Sequence, residues 1–346
     1  MKASHKFTFS ILHWSRQAFL FAAMAVPGFV FCQDAHFSQF NEATWWRNPS
    51  LTGLFKGDLK VNMQHRTQWG SLATPFQTTN LNIEAKTPVG RGDDFLSYGG
   101  TVVHDKAGEA ALTTTNFLPG ITYSKSLGEN RNRYLSLGFV GGMVQRRFDV
   151  SKIRTNAGFD GSPDEVFNNN NVTYWNGSVG LSYSGALGQH PDDNFYVGVA
   201  YHNFNKPKTS FYKDASIELA GRYTASVGVK YALTDYSFIN LESEYSVQGD
   251  FKRFIAGGMY AVKIGDEFEN PDYIFQFGGY IRWKDAFIPA VRVDYKQWKI
   301  NMTYDGNISA LRTASQMRGG FEISIGWQGF LSQYSVVKDA PRQPIY

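Results

Sequence analysis

Apolar and polar residues alternate along most of this chain, and this two-residue period constrains the fold more than any single motif. The segment LKVNMQHRTQW, residues 59–69, places apolar or small side chains at every second position, with His65 as the exception. The intervening positions, among them Lys60 and Arg66, are polar. Because successive side chains of a β-strand point to opposite faces, the pattern predicts strands with one apolar and one polar face.

The alternation recurs in roughly 14 segments of about 8 to 15 residues, the spacing of membrane-spanning strands. No apolar run after residue 32 approaches the ~18 residues that a transmembrane helix needs. We therefore predict an all-β transmembrane antiparallel β-barrel of about 14 strands over residues 57–330. Many apolar faces begin or end in rings suited to the aromatic girdles at the bilayer surfaces: Trp69, Tyr183, Tyr201, Tyr223, Tyr231, Tyr273, Trp283 and Trp327.

A soluble all-β protein also alternates, and it is the alternative fold. The connections favour the membrane barrel, because short turns at 128–132 and 233–235 alternate with long connections at 149–171 and 205–218. Short periplasmic turns and long outer loops are typical of outer-membrane barrels. In hydrocarbon an unpaired backbone group costs several kcal/mol, so a chain without long apolar helices can cross only as a closed sheet.

The first 32 residues predict a secretory signal peptide, because three cations and no acid precede an apolar run that is too short to span a bilayer. Cleavage before Gln33 leaves 31 of the 34 Lys and Arg residues against 30 Asp and Glu. The remaining chain is nearly neutral, so nucleic acid is not an expected partner. Acylation of Cys32, the single cysteine, is the alternative to cleavage.

The segment HFSQFNEATWWRNPSLTG, residues 36–53, is too polar and too interrupted by Asn-Pro for a regular helix. Its four large aromatic side chains are too many for a solvated linker, so they need protein cover. If both chain termini face the periplasm, the lumen supplies that cover. We predict that residues 33–56 fold into the lumen as a plug and that residues 331–346 form a periplasmic tail. A disordered leader is the alternative.

The polar strand faces carry charges of both signs, which suits a wall whose side chains pair with one another or with a plug. An ion-selective porin usually concentrates one sign near a constriction. The predicted lumenal charges are Lys60, Arg66, Arg222, Lys230, Arg292, Lys299, Glu84, Asp294, Asp305 and Glu322.

No sequence pattern indicates catalysis, a cofactor or a metal centre. The H-E-x-x-H, G-x-S-x-G, Walker A and G-x-G-x-x-G motifs are missing. After residue 32 the five histidines are not spaced as metal ligands with other His, Cys or acidic residues on one strand face. The loop at residues 160–175 combines three acids with four consecutive asparagines, and a calcium ion there is a secondary hypothesis, although the spacing is not that of an EF-hand.

The cluster HDKAGE, residues 104–109, stands where a strand is predicted to pass into an outer loop. Two interpretations remain open. In one, Asp105 caps backbone N–H groups of a turn in which Gly108 takes a positive φ. In the other, His104 and Asp105 contact a partner.

Six segments follow one another in a fixed order along the chain: FSQFNEATWWRNPSLTG, HRTQWGSL, VVHDKAG, YLSLGFVGGMVQRRFDVSKI, NFYVGVAYHNFNKP and YDGNISALRTASQMRGGFEISIGW. In this order and spacing they resemble the PorP/SprF family of type IX secretion outer-membrane proteins, over about residues 34–342. The resemblance implies an outer-membrane β-barrel linked to secretion of surface proteins and, in gliding bacteria, to motility and adhesin export. Family members often carry a first Asn-Pro where this chain has Ala43-Thr44, and a cysteine where this chain has Ala340.

The resemblance therefore implies a non-enzymatic protein of the bacterial outer membrane. Its expected partners are outer-membrane lipid, other type IX secretion subunits and a secreted adhesin or its carrier. A passive porin or transporter for small solutes is the alternative function. A hydrolase would need a Ser/His pair near one bilayer surface, and we identify none. The candidate partner-binding residues are Phe37, Phe40, Trp45, Trp46, Asn48, Pro49, His104, Asp105, Pro341 and Arg342.

Overall fold

A computed structural model describes residues 34–68, 70, 74–90, 93–127, 132–153, 169–188, 190–212, 216–309 and 318–331. In this part of the chain, 14 antiparallel strands close into one barrel, as predicted. The strands are β1 Leu59–Gln68, β2 Phe76–Val89, β3 Asp94–Ala107, β4 Leu112–Ser126, β5 Arg133–Arg147, β6 Asn171–Ala186, β7 Asn194–His202, β8 Arg222–Thr234, β9 Ser237–Gln248, β10 Phe251–Ile264, β11 Tyr273–Arg282, β12 Ala286–Tyr295, β13 Trp298–Asn307 and β14 Arg318–Gly329.

The barrel closes because the first and last strands pair along their whole common length. Leu59 lies opposite Gly329, and Gln68 lies opposite Gly320. Every other strand pairs with its neighbours in the sequence. The closed sheet therefore has no free edge, and its backbone groups satisfy one another as hydrocarbon requires.

The two faces of the sheet have opposite chemistry, which confirms the predicted alternation. Large apolar side chains such as Leu137 and Val199 are 56% and 54% exposed on the outside. Their polar neighbours, such as Ser136, are buried inside. An apolar belt outside and a polar lumen inside is the distribution expected of a barrel in lipid.

Successive connections lie at alternate rims of the barrel. We call the end where β1 begins and β14 ends the N-terminal rim, and the other end the loop rim. The two longest connections, 148–170 and 203–221, both lie at the loop rim. The turn at 235–236 lies at the N-terminal rim. The prediction of one rim with long loops is confirmed for these connections.

The alternation of short and long connections does not continue around the whole barrel. At the loop rim β9 and β10 are joined by residues 249–250 alone, with Gly249 at φ 56°. At the N-terminal rim the connection 265–272 is longer than that turn. The short turn at the loop rim is possible because Gly249 adopts a positive φ, which two-residue hairpin turns require.

The residues before β1 form two short helices. Helix α1 spans Thr44–Arg47, and a 3₁₀-helix spans Pro49–Leu51. Another 3₁₀-helix spans Val150–Lys152 at the loop rim. Among the described residues no helix has both the length and the apolar character needed to cross a membrane.

The outward orientation of Val199 generates a direct test of the lipid-facing belt. Val199→Arg should destabilise the barrel by about 2–4 kcal/mol if the position lies near the bilayer midplane. Ile217→Arg is the control, because Ile217 is equally exposed but lies in the connection 203–221. Urea unfolding of the refolded protein in lipid vesicles measures both. Equal destabilisation by the two variants would contradict a lipid-facing position for Val199.

Candidate functional site

The candidate site is the lumenal segment, residues 34–56, together with the strand faces that surround it. Phe37, Phe40 and Trp45 are buried, and Trp46 is half-buried. Asn48 and Pro49 are buried as well. The segment lies in the lumen as predicted, and it is not the disordered leader considered as the alternative.

Two carboxylates of the barrel wall hold the beginning of the segment. The Glu322 carboxylate accepts hydrogen bonds from the backbone N–H groups of Ser38 and Gln39, both at 2.8 Å. The Ser38 hydroxyl donates to Asp305 at 2.6 Å. Hydrogen bonds to a charged acceptor in a water-poor site are stronger than neutral ones, so these contacts fix the backbone of the segment.

The same two carboxylates are paired with arginines of the wall. The guanidinium groups of Arg66 and Arg282 lie 2.6 and 2.7 Å from the same oxygen of Asp305. Arg66 also donates to the carbonyl oxygen of His36. Each buried charge thus has an opposite partner, which a buried ionic group requires. The wall and the segment form one polar network.

Arg47, at the end of α1, forms a second anchor. Its guanidinium lies 3.4 Å from Glu242 and 3.1 Å from Glu244, two inward positions of β9. The guanidinium also stacks over the Phe40 ring, 4.5 Å from its centroid. Burial disfavours the charged form, yet the nearby Tyr196 and Glu242 raise the pKa of Arg47 above its ordinary value. Arg47 therefore stays charged in the lumen.

A third anchor joins Glu42 of the segment to β12. Arg292 donates to Glu42 at 3.1 Å and to Asp294 at 2.7 Å. Asn62 of β1 donates to the Glu42 carbonyl at 3.2 Å. The three anchors reach β1, β9, β12, β13 and β14, so the segment is tied to opposite parts of the wall.

The Asn48-Pro49 turn lies against a patch of small side chains on β4, β5 and β6. The Asn48 side chain caps the 3₁₀-helix by accepting from the N–H of Ser50 at 3.0 Å. The Pro49 carbonyl accepts from the hydroxyl of Thr122 at 2.7 Å. A Cβ atom at Gly138 would lie 2.4 Å from the Pro49 carbonyl carbon, so only glycine admits the turn there.

The aromatic side chains of the segment are buried between the segment and the barrel wall. Trp45 is fully buried, and its indole N–H donates to the carbonyl of Ile83 at 2.8 Å. The Phe40 ring meets the Tyr280 ring edge-on at 5.5 Å. The Trp46 indole donates to the Ala35 carbonyl at 2.9 Å. The aromatic side chains are covered by protein, as the sequence predicted, and the indole N–H groups of both tryptophans are hydrogen-bonded.

His104 and Asp105 lie on β3 and do not form one cluster. The imidazole of His104 faces outward and lies 3.0 Å from the Thr115 hydroxyl. Asp105 faces inward and accepts from the Thr78 hydroxyl at 2.6 Å. The expectation that Asp105 caps turn N–H groups is not what the structure shows, because residues 94–107 continue as a strand. Gly108 does take a positive φ, 67°, as expected.

Two candidate residues lie outside the described residues, and so does most of the hypothetical calcium loop. Pro341 and Arg342 belong to the undescribed tail, and residues 154–168 of the loop are likewise not described. Within the described ranges, no group of three His, Cys, Asp or Glu side chains is placed to hold a metal ion.

Several residues that hold the segment were not predicted from the sequence. Ser38, Gln39, Glu42 and Arg47 were not singled out, although they lie among the aromatic residues that were. The wall partners Glu242 and Glu244 were missed as well. Their alternation with Leu241 and Tyr245 places them on the polar face of a strand and was a usable signal.

The close approach at Gly138 predicts a measurable effect of one methyl group. Gly138→Ala should destabilise the folded barrel by about 1–3 kcal/mol, because the Cβ would overlap the Pro49 backbone. Gly306→Ala is the matched control, since a Cβ there meets its nearest neighbour at 3.5 Å. Heat-induced unfolding in detergent, followed by gel mobility, measures both. Equal stability of the two variants would contradict the seating of the turn on β5.

Comparisons with solved structures return barrels at low identity. The CymD monoaromatic hydrocarbon channel is 12% identical, with a TM-score of 0.48, 87% of this chain covered and 96% of that chain. The toluene transporter TbuX from Ralstonia pickettii is 9% identical, with a TM-score of 0.47 and coverages of 85% and 95%. CdiB from Acinetobacter baumannii is 11% identical, with a TM-score of 0.39, and the matched part covers 78% of this chain and 60% of CdiB. Likenesses at these TM-scores say nothing about function.

No curated protein matches the sequence. The family model described as type IX secretion system membrane protein PorP/SprF matches residues 30–327. This match includes the lumenal segment and almost the whole barrel, so it applies to the site as well as to the fold. The chain forms an outer-membrane barrel with an apolar outer face, and it belongs to the PorP/SprF family of type IX secretion system membrane proteins.

Proposed function

We propose that the protein is a non-enzymatic barrel component of the type IX secretion system that supports export or surface display of secreted proteins. The observation that carries the proposal is the lumenal segment, whose anchors to opposite walls leave the barrel suited to holding partners rather than to passing solutes. Family membership supplies the secretion system. The proposed substrates are adhesins or their carriers. The proposed process is gliding motility.

The proposed division of the chain follows from this role. Residues 1–32 would be the signal peptide, residues 33–56 the plug, residues 57–330 the barrel and residues 331–346 a periplasmic tail. The N-terminal rim would then face the periplasm and the loop rim the outside. This orientation is supported by the two longest connections, which share the loop rim.

The loop rim offers a defined surface for a secreted partner. The long connections contact each other through the rings of Phe148 and Phe211, whose centroids lie 4.9 Å apart. Beside them Tyr212 is 69% exposed and Ile217 is 50% exposed. Exposed aromatic and aliphatic side chains on mutually packed loops are the usual centre of a protein interface. We propose that residues 149–171 and 205–218 dock the exported protein or its carrier.

The N-terminal rim would contact periplasmic subunits through the plug and the tail, residues 33–56 and 329–346. In this arrangement Phe37, Phe40, Trp45, Trp46, Asn48 and Pro49 act by shaping the plug, since they are largely covered by the wall. His104 and Asp105 stay candidate contact residues near the loop rim, and Pro341 and Arg342 stay candidates in the tail.

A passive porin is the competing function, and conductance distinguishes the two. A plugged lumen predicts no large steady conductance from the full-length chain in a planar bilayer. A large steady conductance would favour a passive diffusion channel and contradict the plug.

Affinity purification tests the docking surfaces separately. From native membranes, the tagged protein should recover other type IX subunits and a secreted protein. The double variant Tyr212→Ser, Ile217→Ser should lower recovery of the secreted protein several-fold and retain the subunits, because it removes exposed apolar surface only at the loop rim. Leu187→Ser, an exposed position at the N-terminal rim, is the control. Recovery of no secretion subunit with the unchanged protein would contradict the proposed function.

A further inference from the structure

A cavity of about 460 Å³ opens at the N-terminal rim beside the lumenal segment. Its wall includes Phe55 and Lys56 from the end of the segment, Phe330 after β14, and residues of the connections 187–193 and 265–272. The volume lies within the range of ordinary ligand pockets. The anchors of the lumenal segment described above do not fill this space.

The cavity wall has a clear excess of positive charge. Seven Lys and Arg side chains line it against three carboxylates. The carboxylates are Asp192, Asp294 and Glu269. The cations are Lys56, Lys86, Lys230, Lys263, Arg292, Lys296 and Lys299.

The internal contacts of the wall use only part of this charge. Lys230, at 2.6 Å, and Lys263 both contact the single carboxylate of Asp192. Burial disfavours the charged form of Asp192, but the two lysines hold its pKa below the ordinary value. Arg292 is shared between Asp294 and Glu42. Two lysines on one carboxylate leave a positive charge at this point.

Three lysines of the wall stand outside the ion pairs just described. In the ranges that the structure describes, no ion pair engages Lys56, Lys296 or Lys299. The Lys56 ammonium has only a distant carbonyl, that of Glu269 at 3.4 Å. Unlike Arg292, these lysines line the cavity without an ion pair, so their ammonium groups can donate to an anion that enters it.

The wall is also aromatic, which limits the kind of anion that it suits. The half-buried rings of Phe268 and Phe330 line the cavity together with Pro191, while the rings of Phe55 and Phe238 are buried in its wall. The Lys230 ammonium lies 4.2 Å from the centroid of the Phe238 ring, so charge and ring surface are directly adjacent. A simple inorganic anion would pair with the lysines and leave the rings facing water. A peptide with carboxylates next to apolar side chains satisfies both.

We propose that this cavity is the docking site for an acidic peptide segment of a partner protein, in which carboxylates alternate with apolar side chains. The carboxylates bind the lysines of the wall, and the apolar side chains pack on the half-buried rings of Phe268 and Phe330. The inference rests on the proposed function in one respect, which is that the peptide belongs to a partner protein. The cavity lies at the rim opposite to the proposed docking loops, so the two sites are independent.

The test uses the purified full chain in a neutral detergent and an acetylated hexapeptide of alternating glutamate and leucine. Titration calorimetry at low salt should detect binding that weakens as salt is added, because the contacts are electrostatic. The same peptide with glutamine in place of glutamate should not bind above its partition into detergent micelles. Inorganic phosphate should compete poorly, since it cannot cover the rings.

Matched double variants locate the site. Lys296→Gln with Lys299→Gln should weaken binding of the acidic peptide at least tenfold, because it removes two ammonium groups that line the cavity and form no ion pair. Lys252→Gln with Lys284→Gln removes two exposed lysines at the loop rim and should leave binding within twofold. Lys296→Glu alone, at an exposed turn residue, provides a second readout if the double variant does not fold.

Three outcomes would overturn the proposal. These are equal binding of the glutamine peptide, full competition by inorganic phosphate, and unchanged affinity in the Lys296 and Lys299 variants. A negative result here leaves the recovery of secretion subunits untouched, so failure of this inference is distinguishable from failure of the proposed function.

Discussion

The fold depends on one constraint, which is that a closed barrel in lipid must bury the polar half of every strand in its own interior. The inner wall therefore carries buried charges that need partners. The lumenal segment supplies part of what is needed. Its backbone N–H groups bind Glu322, and its Arg47 binds Glu242 and Glu244. The segment and the wall are each incomplete without the other, and this mutual dependence fixes where the segment lies.

The barrel itself was predictable because its physical cause is local. A strand places every second side chain on one face, so the alternation in residues 59–69 indicates both the strand and its orientation. The number of strands, their antiparallel order and the apolar outer belt all follow from repeating that observation. The lengths of individual turns did not follow, because a two-residue hairpin depends on the conformation of one residue, such as Gly249.

The lumenal segment was predictable in outline and not in detail. Four aromatic side chains between Phe37 and Trp46 indicated that it must be covered by protein. Several partners that hold it lie more than 190 residues away in sequence, as for Arg47 with Glu242, or more than 280, as for Ser38 with Glu322. Such pairs form only when the barrel closes, so no local sequence pattern predicts them. His104 and Asp105 illustrate the converse, because adjacent residues on a strand face opposite sides.

A disulfide between segment and wall tests the lumenal position most directly. The hydroxyl oxygens of Thr52 and Thr122 lie 2.7 Å apart, so cysteines at both positions, in a Cys32→Ser background, can form a bond. The account predicts that Thr52→Cys with Thr122→Cys oxidises nearly completely in native membranes. The control Thr52→Cys with Thr115→Cys should stay reduced, because Thr115 is on the opposite face of β4. A Thr52/Thr122 pair that stays reduced, or oxidises no faster than the control, would contradict the lumenal segment.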